Sequence, residues 1–316
     1  MMNKILIIGT LPNVSGIGGV TIHIDRLLQN LTNKQVAYDF CDYKEQSLVK
    51  VVRAIIKHKV VHIHPSNPLF RVLLVSISKI LGKKVIFTIH GNLGRHSRVK
   101  NWLDKLSVKM SDIPILINLD SYTKAHKWNS ASVLLSAFIP PIDDECIQES
   151  IKKQVELIKS QCEIVVVTNA SVMSFADDGK EIYGIDFLIK YFEDKPQYAL
   201  VVSDPSGQYT SKYSSILLPN VLFISDTHSF YALMKNADIM IRATSTDGDS
   251  LSVKEALHLG IKVLATDCVS RPNGVILFKY CDSKSLDFAL SQSVVEPDIE
   301  DEIVVDKLIE IYNSLN

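Results

Sequence analysis

The chain is 316 residues long, 47% hydrophobic and 22% charged, with a formal net charge of −1. That length suits two domains of about 150 residues, and the composition excludes a disordered chain. No apolar run approaches the roughly 20 residues of a membrane span, so no transmembrane helix is expected.

The charge is unevenly placed. Residues 1–147 carry 19 Lys and Arg against 10 Asp and Glu, a net of +9, while residues 148–316 carry −10. Such asymmetry points to an anionic partner for the first half. The plainer reading is a solvated basic surface balanced by an acidic domain. The five cysteines, Cys41, Cys146, Cys162, Cys268 and Cys281, are odd in number and lack metal-ligand spacing. They read as reduced thiols of a cytosolic protein.

In chain order, Asn3 to Gly9 reads as a first buried strand. Its apolar core of about four residues is too short for a signal peptide, which needs about 7 to 15. Gly16-Ile17-Gly18-Gly19-Val20 follows. Glycines at a helix start let backbone N–H groups approach a phosphate. The segment lacks the third glycine of the dinucleotide fingerprint, which argues against a nicotinamide dehydrogenase. A flexible loop with a helix cap is the alternative. Further strands are expected at 60–64, 84–90, 113–118, 163–168, 198–202, 221–224, 238–241 and 262–265. Helical patterns fall at 20–31, 69–81, 99–109, 147–158, 183–192, 229–236, 251–259 and 301–315. Strands alternating with helices predict parallel sheets in α/β layers. Pro140-Pro141 marks the domain break, because paired prolines stop regular structure.

His62 and His64 share one face of a strand, since side chains alternate. They could be two metal ligands, but the sequence shows no third. His90-Gly91-Asn92 closes another strand, where a histidine is either structural or part of a site.

The most informative stretch is 237–267. A short apolar strand ends in Arg242; a polar loop, Ala243 to Ser250, leads into a helix from Leu251 to Leu259, stopped by Gly260; a second strand follows. In open α/β sheets ligands bind at such a strand end and helix start. Arg242 is costly there unless paired. It suits a pyrophosphate by bidentate geometry, or an ion pair with Asp247 or Asp249. Both acids also suit a helix start. Ser252-x-x-Glu255 fits a capping box.

Asp247-Gly248-Asp249-Ser250-Leu251-Ser252-Val253-Lys254-Glu255-Ala256-Leu257 resembles the acidic-x7-Glu segment of the family 4 glycosyltransferases, which are retaining enzymes of the GT-B fold. A subgroup with a Thr-Asp-Gly-Asp-Ser loop is most similar, and Arg271-Pro272-Asn273-Gly274-Val275 fits it. The first acid is Asp where the family has Glu, and Asp249-Ser250 replaces Phe-Gly. The family's Gly-Arg and Lys-Gly are missing after the second domain's first strand, leaving Lys180 or Arg242 as substitutes.

The resemblance implies two Rossmann-like, doubly wound parallel-sheet domains facing a cleft, 1–142 on the acceptor side and 143–300 binding the nucleotide sugar. Residues 301–316 would form a helix crossing back to the first domain. It implies catalytic roles for Asp247 and His90. Donor binding would fall to Gly18, Gly19, Arg242, Gly248, Asp249, Ser250, Leu251, Ser252 and Glu255, with Glu255 on the ribose. His64, Arg95 and Arg98 would lie on the acceptor side. No metal or other cofactor is expected, and no nucleic acid partner.

The expected activity is retaining transfer of a sugar from a nucleoside-diphosphate sugar to a lipid-diphosphate-linked glycan, in surface polysaccharide synthesis. The protein is then expected in the cytoplasm, peripheral on an anionic inner membrane face. The alternatives are a GT-B nucleotide-sugar epimerase and an inactive nucleotide-sugar-binding module.

Overall fold

The computed structural model describes residues 4–12, 18–142, 144–176, 178–216, 218–294 and 304–315. The chain divides into two compact units, Met1–Ile142 with Glu302–Asn316, and Asp143–Asp301.

The first unit runs β1 (Ile5–Gly9), α1 (Gly19–Asn33), β2 (Tyr38–Asp42), α2 (Leu48–Lys57), β3 (Val60–Ile63), α3 (Pro68–Ile80), β4 (Lys84–Ile89), α4 (Arg98–Met110), β5 (Ile113–Leu116), α5 (Leu119–His126) and β6 (Val133–Leu134). The second runs α6 (Glu149–Lys159), β7 (Ile164–Asn169), α7 (Ile185–Phe192), β8 (Tyr198–Ser203), α8 (Gln208–Tyr213), β9 (Val221–Ile224), α9 (Phe230–Met234), β10 (Ile239–Arg242), α10 (Leu251–His258), β11 (Lys262–Thr266), β12 (Val275–Phe278) and α11 (Ser283–Ser291). The last helix, α12 (Val304–Leu315), belongs to the first unit.

Each unit holds a six-stranded sheet, ordered β2-β1-β3-β4-β5-β6 and β12-β11-β10-β7-β8-β9. All pairings within both sheets are parallel. Parallel strands covered by helices on both faces read as continuous apolar runs. β1 shows this, with all five residues buried. Its Ile5 and Ile7 pack with Leu27 of α1 and with Leu308 and Tyr312 of α12. The apolar face of 304–315 therefore closes the first unit's core; residues 301–303 of the expected helix lie outside the described residues.

Each sheet winds outward in two directions from its first strand. The winding reverses between β1 and β3 in one sheet and between β7 and β10 in the other. Such switch points open a crevice at the carboxyl ends of the strands.

The structure adds elements the sequence pattern did not reveal: β2, β6, β12, α2, α5, α8 and α11. In α2, Val49, Val51, Val52, Ile55 and Ile56 are β-branched, which masks a helix. The helix expected from 183 starts at Ile185. Gly184 precedes it with φ +65, and a Cβ there would sit 2.1 Å from the Ala243 carbonyl oxygen. Glycine thus lets the α7 start press against the end of β10.

Candidate functional site

In the second unit, β10 ends in Arg242 beside the end of β7. The Arg242 Nε and Nη2 donate to the two oxygens of Asp247 at 3.1 and 3.3 Å, and Nη1 donates to Asn169 Oδ1 at 3.2 Å. Arg271 Nη1 donates to Asp247 Oδ2 at 2.8 Å, and Arg271 Nε to the Thr266 carbonyl at 3.1 Å. One carboxylate is clamped by two guanidiniums. Burial works to raise the Asp247 pKa, but Arg242 and then Arg271 outweigh it and hold the carboxyl below the ordinary range. Burial works against the Arg242 charge too; Asp247 outweighs it and raises the pKa. Arg242 also lies over the Tyr183 ring, 5.2 Å from its centroid.

The sequence left Arg242 between an ion pair and a pyrophosphate contact, and the structure shows the ion pair. Lys180 instead pairs with Asp178 at 2.8 Å on an exposed turn. Gly248 N donates to Asp247 Oδ1 at 3.0 Å, which fixes the loop around the carboxylate. Asp249 pairs with Lys254.

The capping box read at Ser252 and Glu255 is corrected. The helix starts at Leu251 with Ser250 as its N-cap residue, so Ser252 lies inside the first turn. The Ser250 and Ser252 hydroxyls are 3.0 Å apart. Glu255 is therefore a helical residue, buried at 4% exposure, and not a cap. At α7 the first N–H groups, of Ile185 and Asp186, are held by the Glu181 carboxylate at 3.0 Å each. Tyr209 also donates to Glu181.

In the first unit, His64 follows β3 and His90 follows β4. His64 Nδ1 lies 3.0 Å from His90 Nε2. His23, from α1, joins them with ring centroids 5.5 Å from His64 and 4.8 Å from His90. The sequence found no third partner for the His62/His64 pair. The fold brings the His23 and His90 rings to His64; the His62 ring stays 4.0 Å from His64 between centroids, but its two nitrogens bond elsewhere. His62 Nδ1 meets the Tyr312 hydroxyl at 2.7 Å and Nε2 the Thr88 hydroxyl at 2.8 Å.

Burial holds these imidazoles neutral. It lowers His23 to about 4 despite the Ala137 carbonyl bond, and His62 to about 3. His64 and His90 fall well below the ordinary value, from burial first and then from the neighbouring rings.

Gly18 is the N-cap residue of α1, extended at φ −163, and Gly19 is its first residue. Gly18 N bonds Thr21 Oγ1 at 3.1 Å. Gly16 and Ile17 lie outside the described residues. Arg95 packs its guanidinium over Gly91, where a Cβ would be 2.5 Å away, so it lies beside the His90 strand end. Arg98 is exposed as the first residue of α4.

The structure thus gathers Arg242, Asp247 and Gly248 in one unit, and His64, His90 and Arg95 in the other. Sequence reasoning missed His23 and the part played by Arg271. Arg271 was legible only as a piece of a motif. His23 sits mid-helix, 41 and 67 positions from its partners, and no local pattern marks it.

No protein-family model matches the chain, and no curated protein matches it in sequence. Solved structures do. HepE of Anabaena in complex with UDP-glucose is 14% identical with a TM-score of 0.66, over 99% of this chain and 95% of that one. Sucrose-phosphate synthase of Thermosynechococcus elongatus is 13% identical with a TM-score of 0.67, over 99% of both chains. An α,α-trehalose-phosphate synthase (UDP-forming) of Burkholderia xenovorans, in complex with glucose-6-phosphate, is 9% identical with a TM-score of 0.63, over 98% and 100%. These are GT-B structures, and this chain has the GT-B fold of two Rossmann-like units.

Proposed function

We propose that the protein is a retaining glycosyltransferase of family 4 type, moving a sugar from a nucleoside-diphosphate sugar to a hydroxyl of a lipid-diphosphate-linked glycan. The observation that carries this reading is the Arg242–Asp247–Arg271 clamp at the switch point of the second sheet. It joins the Asp-x7-Glu segment to a fold whose solved neighbours include complexes with UDP and UDP-glucose. Each guanidinium offers five N–H donors; Asp247, Asn169, Thr266 and Thr244 take most of them, and a diphosphate would draw on those that are left. In the transition state, positive charge develops at the sugar and negative charge on the leaving phosphate. Asp247 opposes the first and the arginines the second. Glu255, His90 and the Gly18–Gly19 helix start complete the donor set by resemblance.

The acceptor reading rests on the first unit. No acidic residue occurs between Glu45 and Asp104. Asp104 itself is buried and paired with Arg71 at 2.9 Å. On α4, Arg98 and Lys100 occupy the first turn without an acid, against the helix dipole. Val99 and Trp102 are exposed beside them, as are Leu69, Leu73 and Ile80 on the neighbouring α3. Apolar side chains set among cations suit an anionic lipid surface. Among the described residues no helix is long and apolar enough to cross a membrane.

The test is product analysis against a panel of nucleotide sugars, each with and without a lipid-diphosphate acceptor. Sugar transfer that requires acceptor is expected. A new nucleotide sugar formed without acceptor indicates the epimerase and overturns the reading. So does a chain that binds no nucleotide by calorimetry.

A further inference from the structure

We infer that His23, His64 and His90 form a binding site for a late first-row divalent cation, with Zn(II) the expected ion. One nitrogen from each ring lies within 4.8 Å of the other two. His64 Nδ1 and His90 Nε2 are already 3.0 Å apart as a hydrogen-bonded pair, so the donor ring must move its proton to its other nitrogen for both to ligate. Nitrogens bound to tetrahedral zinc at 2.0–2.1 Å are about 3.3 Å from one another. Two ligands therefore stand near the required spacing, and the third nitrogen, of His23, lies within 4.8 Å of both.

The surroundings are those of a ligand set. His23 Nδ1 donates to the Ala137 carbonyl at 2.7 Å, which fixes its tautomer and leaves the Nε2 lone pair uncommitted. Backbone carbonyls orient metal-binding histidines in this way. His23 Nε2 and His64 Nε2 are buried without a hydrogen-bond partner, in residues 3% and 1% exposed. A buried polar nitrogen left unpaired is costly, and an ion removes that cost at His23 Nε2; at His64 it takes Nδ1, and Nε2 keeps the ring proton. The His62 ring lies 4.0 Å from that of His64 between centroids, tilted by 42°, and Tyr312 and Thr88 occupy both its nitrogens. It walls the site without being a ligand.

An imidazole-only set selects zinc, copper, nickel or cobalt over magnesium and calcium. Because the rings are held neutral, ion binding near pH 7 releases no net proton; the N–H between His64 and His90 only shifts to another ring nitrogen. Arg26, Arg71 and Arg95 act on these rings from nearby; Asp104 neutralises Arg71. The remaining positive charge favours a hydroxide or another anion as fourth ligand. This inference does not rest on the transferase reading.

The test uses the full chain, stripped by chelator and then dialysed against Zn(II) or titrated with Co(II). One equivalent of zinc is expected, with the intense visible absorption of four-coordinate cobalt. His23→Gln and His90→Gln should each weaken binding about tenfold or more, with circular dichroism unchanged, while His96→Gln, outside the trio, should keep it. The cobalt spectrum of the unmutated chain decides even where a variant misfolds. No stoichiometric binding, a weak six-coordinate cobalt spectrum, or binding that survives in both folded variants overturns the site.

Discussion

The two sheets reverse their winding at matching places, β1 beside β3 and β7 beside β10, and the two reversals carry opposite chemistry. The first is lined by neutral imidazoles. The second holds a carboxylate between two guanidiniums. Charge that enters a buried crevice must be paired or given up. Histidine gives it up at His23, His64 and His90, whereas Asp247, Arg242 and Arg271 keep theirs by pairing. The same topology thus yields one crevice lined by neutral imidazoles and one that holds an ion-paired carboxylate.

The largest expected effect tests the charged side. Asp247→Asn keeps the size of the side chain and loses its charge. If the carboxylate faces charge that develops only in the transition state, turnover falls by about 100-fold or more while donor affinity changes far less. Steady-state kinetics with calorimetric donor binding reads both. Unaltered turnover removes Asp247 from the catalytic residues and leaves the clamp as a structural ion pair.

Acid separates the two crevices next. In metal-free protein His23 and His62 have folded pKa values of about 4 and about 3, below the ordinary 6.5. The unfolded chain binds their protons first as pH falls. Their contribution is complete above pH 6.5 and is lost as pH drops toward the folded values, by about 2 kcal/mol for each ring at pH 5. Asp247 is held below 3.8, so its contribution persists above that pH and is lost beneath it. Hydrogen exchange at pH 7 and pH 5, corrected for intrinsic rates, should show β1, β3 and β4 loosening while β7 and β10 do not. Equal loosening of both sheets breaks the comparison.

How much of this was legible in the sequence differs between the two sites. The charged one is nearly contiguous: Arg242, Asp247, Gly248 and Glu255 fall within 14 residues, so one strand-loop-helix pattern and its family resemblance grouped them. Its helix start at Leu251 was read correctly, and only the alternative of a capping box at Ser252 and Glu255 fails. The imidazole site is assembled from α1, β3 and β4, and only tertiary packing brings His23 to His64. The fold was legible where strands are apolar and central, as in β1 and β10. It was not where strands sit at the sheet edge, as in β2, whose Tyr38 to Asp42 mixes polar and apolar residues. Edge strands bury less, so their composition carries less pattern.

Glu255→Gln is the next smaller change. A lost contact from a charged group to the ribose hydroxyls should weaken nucleotide binding by about 1–3 kcal/mol with the melting temperature held. A lower melting temperature with unchanged nucleotide affinity assigns Glu255 to packing alone.

Smaller still is the electrostatic contrast at the surface. Basic side chains near an anionic bilayer contribute about 1 kcal/mol each. Arg95→Glu with Arg98→Glu should therefore cut co-sedimentation with anionic vesicles, and added salt should do the same. Binding equal for neutral and anionic vesicles, or indifferent to both substitutions, means the basic face is only solvated.

The smallest expected effect is none at all: chelator should leave sugar transfer intact. Asp247-Gly248-Asp249 has the spelling of a metal-binding acidic pair, so the point needs its own argument. Asp247 carries Arg242 and Arg271 on its oxygens, and Asp249 carries Lys254. A divalent cation arriving there meets three cations already in place, and displacing them forfeits buried ion pairs that are expensive to break. The phosphate charge that a metal often neutralises in other sites falls here to the arginines. If the two proposals hold, a metal is expected at the neutral crevice of the first unit and none at Asp247 and Asp249. Turnover measured in chelator, then with manganese or magnesium restored, decides the point. Activity that vanishes and returns with either ion places a metal at Asp247 and Asp249 and reverses the assignment.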